Sequence, residues 1–289
     1  MANEPPPISS IQAAFAHQNT ATVDCTFTTD LFNFPASPSR LGQAPGEGGT
    51  GQDIALENRS LPPARYIRTS EMLYRNGAKD EHSSERNGAT ESIDVRMKQV
   101  SKDGVVLGGT SLHFPRFAWA GVDRIDHIMF PAFPRKDDPS TTFLYGWIKY
   151  GKVVPTQETI NGHACWKVDI TDTGGSAADH LEVWLDPDLG LCPRRLKMHG
   201  RGATAAEFTR TVDWDDYVEI ANGFWFPRSQ NVVSNNPLSG YPDMRSLYTA
   251  TKLDGTKTYT KSDLRVTFAP GTPILLTAED GSLKRTVQP

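Results

Sequence analysis

Hydrophobic and polar positions alternate along most of this chain, and the alternation predicts strands. Val23, Cys25, Phe27 and Leu31 share one phase of a two-residue period while Asp24, Thr26, Thr28 and Asp30 hold the other, so the first strand is expected to be half buried. Ile93, Val95 and Met97 alternate with Asp94, Arg96 and Lys98. A Ser101-Lys102-Asp103-Gly104 turn then returns the chain through Val105 to Leu107 as a hairpin. Further on, Trp166, Val168 and Ile170 alternate with Lys167 and Asp169, and Leu181, Val183 and Leu185 with Glu182, Trp184 and Asp186. Asp186-Pro187-Asp188-Leu189-Gly190 reads as a tight turn into 194–199. Val212, Trp214, Val218 and Ile220 share a phase, Ala221-Asn222-Gly223 turns the chain, and Phe224 to Val233 runs back. With 66–75, 245–253 and the trio Leu264, Val266 and Phe268, the count is about ten strands joined in sequence order. That pattern favours an antiparallel meander over parallel βαβ units.

Two segments follow a helical period instead. Ile8, Ile11, Ala14 and Phe15 predict a short amphipathic helix with Ser9 or Ser10 as N-cap. In 114–133, Phe117, Gly121, Ile125, Ile128 and Met129 fall near helical spacing between Pro115 and Pro131, predicting an unusually aromatic second helix. The stretch 35–63, with its glycine-rich run at 46–51, reads as a long loop or insertion. Residues 1–7 read as a flexible tail and 270–289 as an irregular C-terminal segment of one domain spanning 1–289.

Composition narrows the function classes. A chain of 289 residues buries roughly 75% of its unfolded surface, enough for a substantial core without staples. Its net charge of -4 comes from interspersed acids and bases, so nucleic acid is not an expected partner. No apolar run approaches the roughly 18 residues of a transmembrane helix. Cys25, Cys165 and Cys192 form no C-x-x-C motif and read as small buried apolar residues. The start MANEPPPISS fits a cytosolic beginning or the loss of an export signal equally well.

Catalytic signatures are scarce. There is no G-x-S-x-G, and the run at 46–51 is not followed by the Lys-Ser or Lys-Thr of a phosphate loop. His180 and His199 are the one plausible metal pair, on neighbouring strands, yet they read first as surface residues. Asp186 and Asp188 lack the rest of a calcium loop, and Asp213, Asp215 and Asp216 read as a bulged strand edge before paired acid-base carboxylates. No catalytic residue, metal or cofactor is therefore expected. What rises above background is apolar mass between Phe114 and Trp147. Phe117, Trp119, Ile125, Ile128, Met129, Phe130, Phe133, Phe143 and Trp147 are the candidates to line a ligand cavity or its lid.

The order of elements resembles the LolA-like superfamily, which includes periplasmic lipoprotein carriers, LppX-type lipid-binding lipoproteins and RseB-type regulators. The resemblance rests on the short first helix, the TVDCTFTTDLF strand, Ile160 to Val168 (INGHACWKV), Val183-Trp184-Leu185-Asp186-Pro187 through Gly190 to Arg195, and Asn222 to Pro227 (NGFWFP). Phe268-Ala269-Pro270-Gly271 resembles the closing segment. The resemblance covers most of the chain, which departs from it by longer loops, notably 35–63. It implies an incomplete antiparallel β-barrel with helices over its concave face. The implied function is an exported, non-enzymatic carrier or sensor binding lipid or lipoprotein acyl chains, with its signal sequence removed. An envelope regulator acting on a protein partner is the alternative, and a hydrolase with an acidic or histidine site is a third.

Overall fold

The computed structural model describes residues 4–18, 23–32, 55–61, 65–73, 78–87, 92–114, 147–174, 178–201, 207–221, 223–236, 241–260 and 262–289. In chain order these hold α1 (Ile8–Gln18), β1 (Asp24–Phe32), β2 (Ala55–Leu61), β3 (Arg65–Leu73), β4 (Lys79–Asn87), β5 (Ser92–Val100) and β6 (Val106–Phe114). After a 3-10 turn at Ile148–Tyr150 come β7 (Lys152–Ile160), β8 (His163–Ile170) and β9 (Ala178–Asp186). A second such turn at Pro187–Leu189 precedes β10 (Cys192–Arg201), β11 (Glu207–Ala221), β12 (Phe224–Asn236), β13 (Tyr241–Asp254), β14 (Pro273–Thr277) and β15 (Leu283–Val287).

The chain is mainly β. The hydrogen-bonded order is β15-β14-β6-β5-β4-β3-β2-β1-β13-β12-β11-β10-β9-β8-β7, an open series not closed into a barrel. Its ladders are antiparallel from β1 to β6 and from β7 to β13, while β14 joins β6 in parallel. Short turns set the registers. Asn161 and Gly162 both take positive φ, 50° and 85°, between β7 and β8, the two-residue hairpin geometry that Asn-Gly favours.

Several expectations need correction. The strands among the described residues number fifteen, not about ten. β2 occupies the part of 35–63 expected to be loop, and β14 with β15 forms a hairpin where 270–289 was expected to be irregular. Phe114 ends β6 instead of opening a helix; the rest of 114–133 lies outside the described residues. Such strands escape a hydrophobic-period reading because ladder partners hold them. β4 (KDEHSSERN) sits between β3 and β5, with Glu81 3.0 Å from Lys79 and ion-paired to Lys98. Burial alone would raise the Glu81 pKa, but those two lysines bring it below the usual carboxylate range. Conversely, Leu264 and Val266 are buried without forming a strand, because the Val266 amide is taken by Ser83 Oγ at 3.0 Å. Ser9 and Ser10 lie inside α1; the Pro7 carbonyl, which accepts from Ser10 and Ile11, stands where a serine cap was expected.

The packing divides into two compact units, each assembled from three separate stretches of chain. In the first, Val168, Ile170, Leu181, Val183, Leu185, Leu196, Val212 and Trp214 are fully buried on the sheet, and Ile11 and Phe15 of α1 with Trp147 and Ile148 are buried as well. Gln18 at the end of α1 bridges the turn into β12, accepting from the Trp225 amide at 3.1 Å and donating to the Gly223 carbonyl at 3.3 Å. Gly151 has no room for a side chain: a Cβ there would stand 2.4 Å from Val168 and 3.0 Å from Ile170.

The second unit is organised by a buried acid. Asp24 is completely enclosed, and its carboxylate accepts from Lys257 Nζ at 2.5 Å and Tyr259 Oη at 2.8 Å, with Lys252 3.6 Å away. Burial alone would raise its pKa, but the two hydrogen bonds and two ammonium charges outweigh it and hold the value below the ordinary aspartate range.

Two expectations follow. Gly151→Ala is expected to destabilise by ~1–3 kcal/mol through overpacking against Val168, measured by urea denaturation. Because the folded-state pKa of Asp24 is depressed, its contribution is complete above the unfolded aspartate value and disappears as pH falls through the lower folded value. Asp24→Asn should therefore flatten the acid limb of the melting temperature against pH; an unaltered limb would remove Asp24 from this role.

Candidate functional site

The sheet of the first unit has two chemically distinct faces, because cross-strand partners share a side and the side alternates along each strand. The register aligns Val168, Val183, Leu196, Val212 and Val232 across β8 to β12 on the buried side. The next row outward runs Ile170, Leu181, Met198, Arg210 and Ser234. Arg210 is thus a cation in an apolar row. Its Nε is buried and has no hydrogen-bond partner among the described residues. Burial holds its guanidinium below the usual arginine range, with Tyr248 opposing part of that shift.

On the opposite face, His180 of β9 stands directly across from His199 of β10, and Glu182 follows His180 in the same phase. His180 Nε2 is hydrogen bonded to Asp169 Oδ1 on β8, and Glu182 Oε1 accepts from Lys167 Nζ at 3.1 Å. That bond, more than burial against it, raises the Lys167 pKa and keeps its ammonium charged.

The Asp-Pro-Asp-Leu-Gly segment performs turn chemistry. Asp186 caps the 3-10 turn by accepting from the Asp188 amide at 2.9 Å, and Gly190 takes the left-handed conformation at φ 62°. The pairing slips between Pro193 and Arg195, so Arg194 is the extra residue of a β-bulge, and the bulge aims its side chain at the turn. Arg194 Nε donates to Asp186 Oδ2 at 2.9 Å and Nη1 to Asp215 Oδ1 at 3.1 Å; its guanidinium also lies 5.0 Å from the Tyr217 ring. Tyr217 donates to the Pro193 carbonyl at 2.5 Å, and burial pushes its phenol well above the ordinary range. Asp213 is held by Arg195 at 2.5 Å and Asp216 is exposed at φ 51°, so Asp213, Asp215 and Asp216 do not converge as a catalytic pair. Cys165 and Cys192 lie buried beside this network, their thiols pushed up to about 12, chiefly by burial, and unreactive as nucleophiles.

Of the residues singled out for a cavity or lid, Trp147 is described, and it is fully buried just before the 3-10 turn. Phe117, Trp119, Ile125, Ile128, Met129, Phe130, Phe133 and Phe143 lie outside the described residues. The structure adds Arg210 and Glu182, neither of which stood among the candidate site residues of the sequence. Both were visible by parity: Arg210 shares the phase of Val212 and Trp214, and Glu182 that of His180. In the second unit, a polar pocket of about 160 Å³ is lined by Ser83, Glu85, Asp94, Arg96, Ser111 and Arg265, and the Glu85–Arg265 ion pair occupies part of its charge.

No family model and no curated protein matches the sequence. Among solved structures, the chain is similar to an outer membrane lipoprotein-sorting protein domain from Vibrio parahaemolyticus. The TM-score is 0.52 at 12% identity, and the match covers 89% of this chain and 95% of that one. The fold is LolA-like. A β-barrel-like protein of a domain of unknown function from Brucella abortus aligns over 83% of this chain and 100% of its own, with a TM-score of 0.31 and 8% identity. The LolA-like fold agrees with the resemblance drawn from the strand and turn signatures, and the open strand order of this chain matches the unclosed barrel that resemblance implies.

The buried Arg194–Asp186 pair yields a direct test. Arg194→Met strands the Asp186 carboxylate in the interior and is expected to cost ~3–5 kcal/mol, whereas changing both residues to apolar ones of similar size should cost far less. Chemical denaturation of the single and double variants measures the difference.

Proposed function

We propose that this chain is an exported, non-catalytic protein that binds the acyl chains of a lipid or lipoprotein against its apolar sheet face, as a carrier or sensor outside the cytoplasm. The observation that carries the reading is Arg210. A guanidinium set in an apolar row, with Nε buried and without a hydrogen-bond partner among the described residues, is costly unless acceptor oxygens meet it. The headgroup of an amphiphile supplies such oxygens, phosphate or ester, while its chains take the apolar face that is buried as core in the ligand-free protein. Burying those chains contributes roughly 0.8 kcal/mol per CH₂, so a dozen methylenes suffice for tight binding without any reacting group. The likeness to a lipoprotein-sorting domain supports the same reading. So does the engagement of Asp213 and Asp215 by arginines, which takes this cluster from the acid-base alternative.

In this account the aromatic stretch from Phe117 to Phe143 lines or closes the ligand space, and the chain forms one LolA-like domain. Native mass spectrometry with a phosphatidylethanolamine and a triacylated lipopeptide tests the reading. One amphiphile should remain bound per chain, and Phe117→Ala or Ile128→Asp should weaken retention. Failure to retain either amphiphile at micromolar concentration would contradict the proposal. Arg210→Met should stabilise the ligand-free protein by ~1–3 kcal/mol, because a buried Nε–H without a partner among the described residues is removed. The same change should reduce lipid retention. A destabilised Arg210→Met with undiminished lipid binding would show that Arg210 has a purely structural task.

A further inference from the structure

The outer, polar face of β8 to β10 carries an arrangement that acyl binding does not use. His180 and His199 are direct cross-strand partners, their rings stacked with centroids 5.8 Å apart and planes at 21°. Glu182 shares their side of β9, and its Oε2 lies 3.8 Å from His199 Nε2. One ligand atom from each of the three residues falls within 4.8 Å of the other two. Two imidazoles and one carboxylate on adjacent antiparallel strands form a rigidly spaced donor set, because the ladder fixes the Cα positions.

The neighbours organise these donors. Asp169 on β8 accepts from His180 Nε2, which places the proton on that nitrogen and leaves Nδ1 as the lone pair of the neutral ring. A carboxylate behind an imidazole is the usual support of a metal-bound histidine. Lys167 takes Glu182 Oε1 at 3.1 Å and also reaches Glu158 at 3.4 Å, so Oε2 is the oxygen turned toward His199. Lys197, opposite Glu182 on β10, carries its ammonium 5.4 Å from the centroid of the Trp184 ring.

We propose that His180, Glu182 and His199 form a binding site for a divalent transition-metal ion of the Zn²⁺ or Cu²⁺ type, with Asp169 as its positioning residue. Nitrogen donors with a single carboxylate select this class over Mg²⁺ or Ca²⁺, which require oxygen-rich sites. Tetrahedral coordination brings donor atoms to roughly 3.3 Å from one another, so the set must tighten on binding. His199 is the side chain free to do this, being the most exposed of the three at 45%. Water completes the shell. The Lys167 ammonium opposes the incoming charge and tempers the affinity.

Isothermal titration calorimetry of the full chain with ZnCl₂ tests the site. One ion should bind per chain, and His180→Ala, His199→Ala and Glu182→Gln should each weaken binding. Asp169→Asn should cost about 10–100-fold in affinity. Lys167→Met should strengthen binding, and His113→Ala in the second unit should leave it unchanged. In electron paramagnetic resonance, bound Cu²⁺ should show coupling to two imidazole nitrogens that falls to one in His199→Ala. Far-UV circular dichroism confirms that these surface variants remain folded. Zn²⁺ binding to the wild type no stronger than to the His180→Ala/His199→Ala double variant would overturn the proposal, as would Cu²⁺ without nitrogen coupling.

Discussion

The two-residue period of β8 to β12 is the constraint on which the rest depends. Because cross-strand partners share a face, one row of four valines and Leu196 commits an entire side of β8 to β12 to burial, and α1 with the Trp147–Tyr150 turn completes that core. A register slip by one residue would exchange the faces and bury Lys167, Asp169, Glu182 and Lys197. The bulge at Arg194 and the Asp186 turn hold the register at one end of β9 and β10. The Asn161-Gly162 turn holds the neighbouring hairpin.

Against that regular background the exceptions acquire meaning. Arg210 is a charge in an apolar row, and the row places it beside Met198 and Ser234. On the other side, histidine faces histidine across β9 and β10, each with its own acidic neighbour. Buried and exposed polar groups thus divide into those that lock the fold and those left to meet something else. Asp186, Arg194, Asp215 and Tyr217 belong to the first kind, since they satisfy one another.

Much of this was legible beforehand where side chains follow burial. The alternations around Val168, Val183 and Val212, and the turn at Asp186–Gly190, each carry their own local chemistry, and the structure has them as strands and a turn. β2 and β4 were not legible, because neighbouring ladders hold both and, in β4, Glu81 is ion-paired to Lys98 of β5, none of which a single segment displays. The segment Leu264 to Phe268 misled in the opposite direction: its alternation reflects packing, with Phe268 seated over Gly109 and the Val266 amide bound to a serine. Arg210 and Glu182 were missed because a search by motif ignores strand parity, which alone puts one on the apolar face and the other beside two histidines.

The central claim is that an amphiphile occupies the apolar face beside Arg210. Hydrogen–deuterium exchange with and without a lysophospholipid below its micellar concentration tests it most directly. Slower exchange confined to the strands around Arg210 and to the 114–147 stretch is the predicted result. Identical exchange throughout, under conditions where the lipid is shown to be monomeric and in excess, would contradict the account.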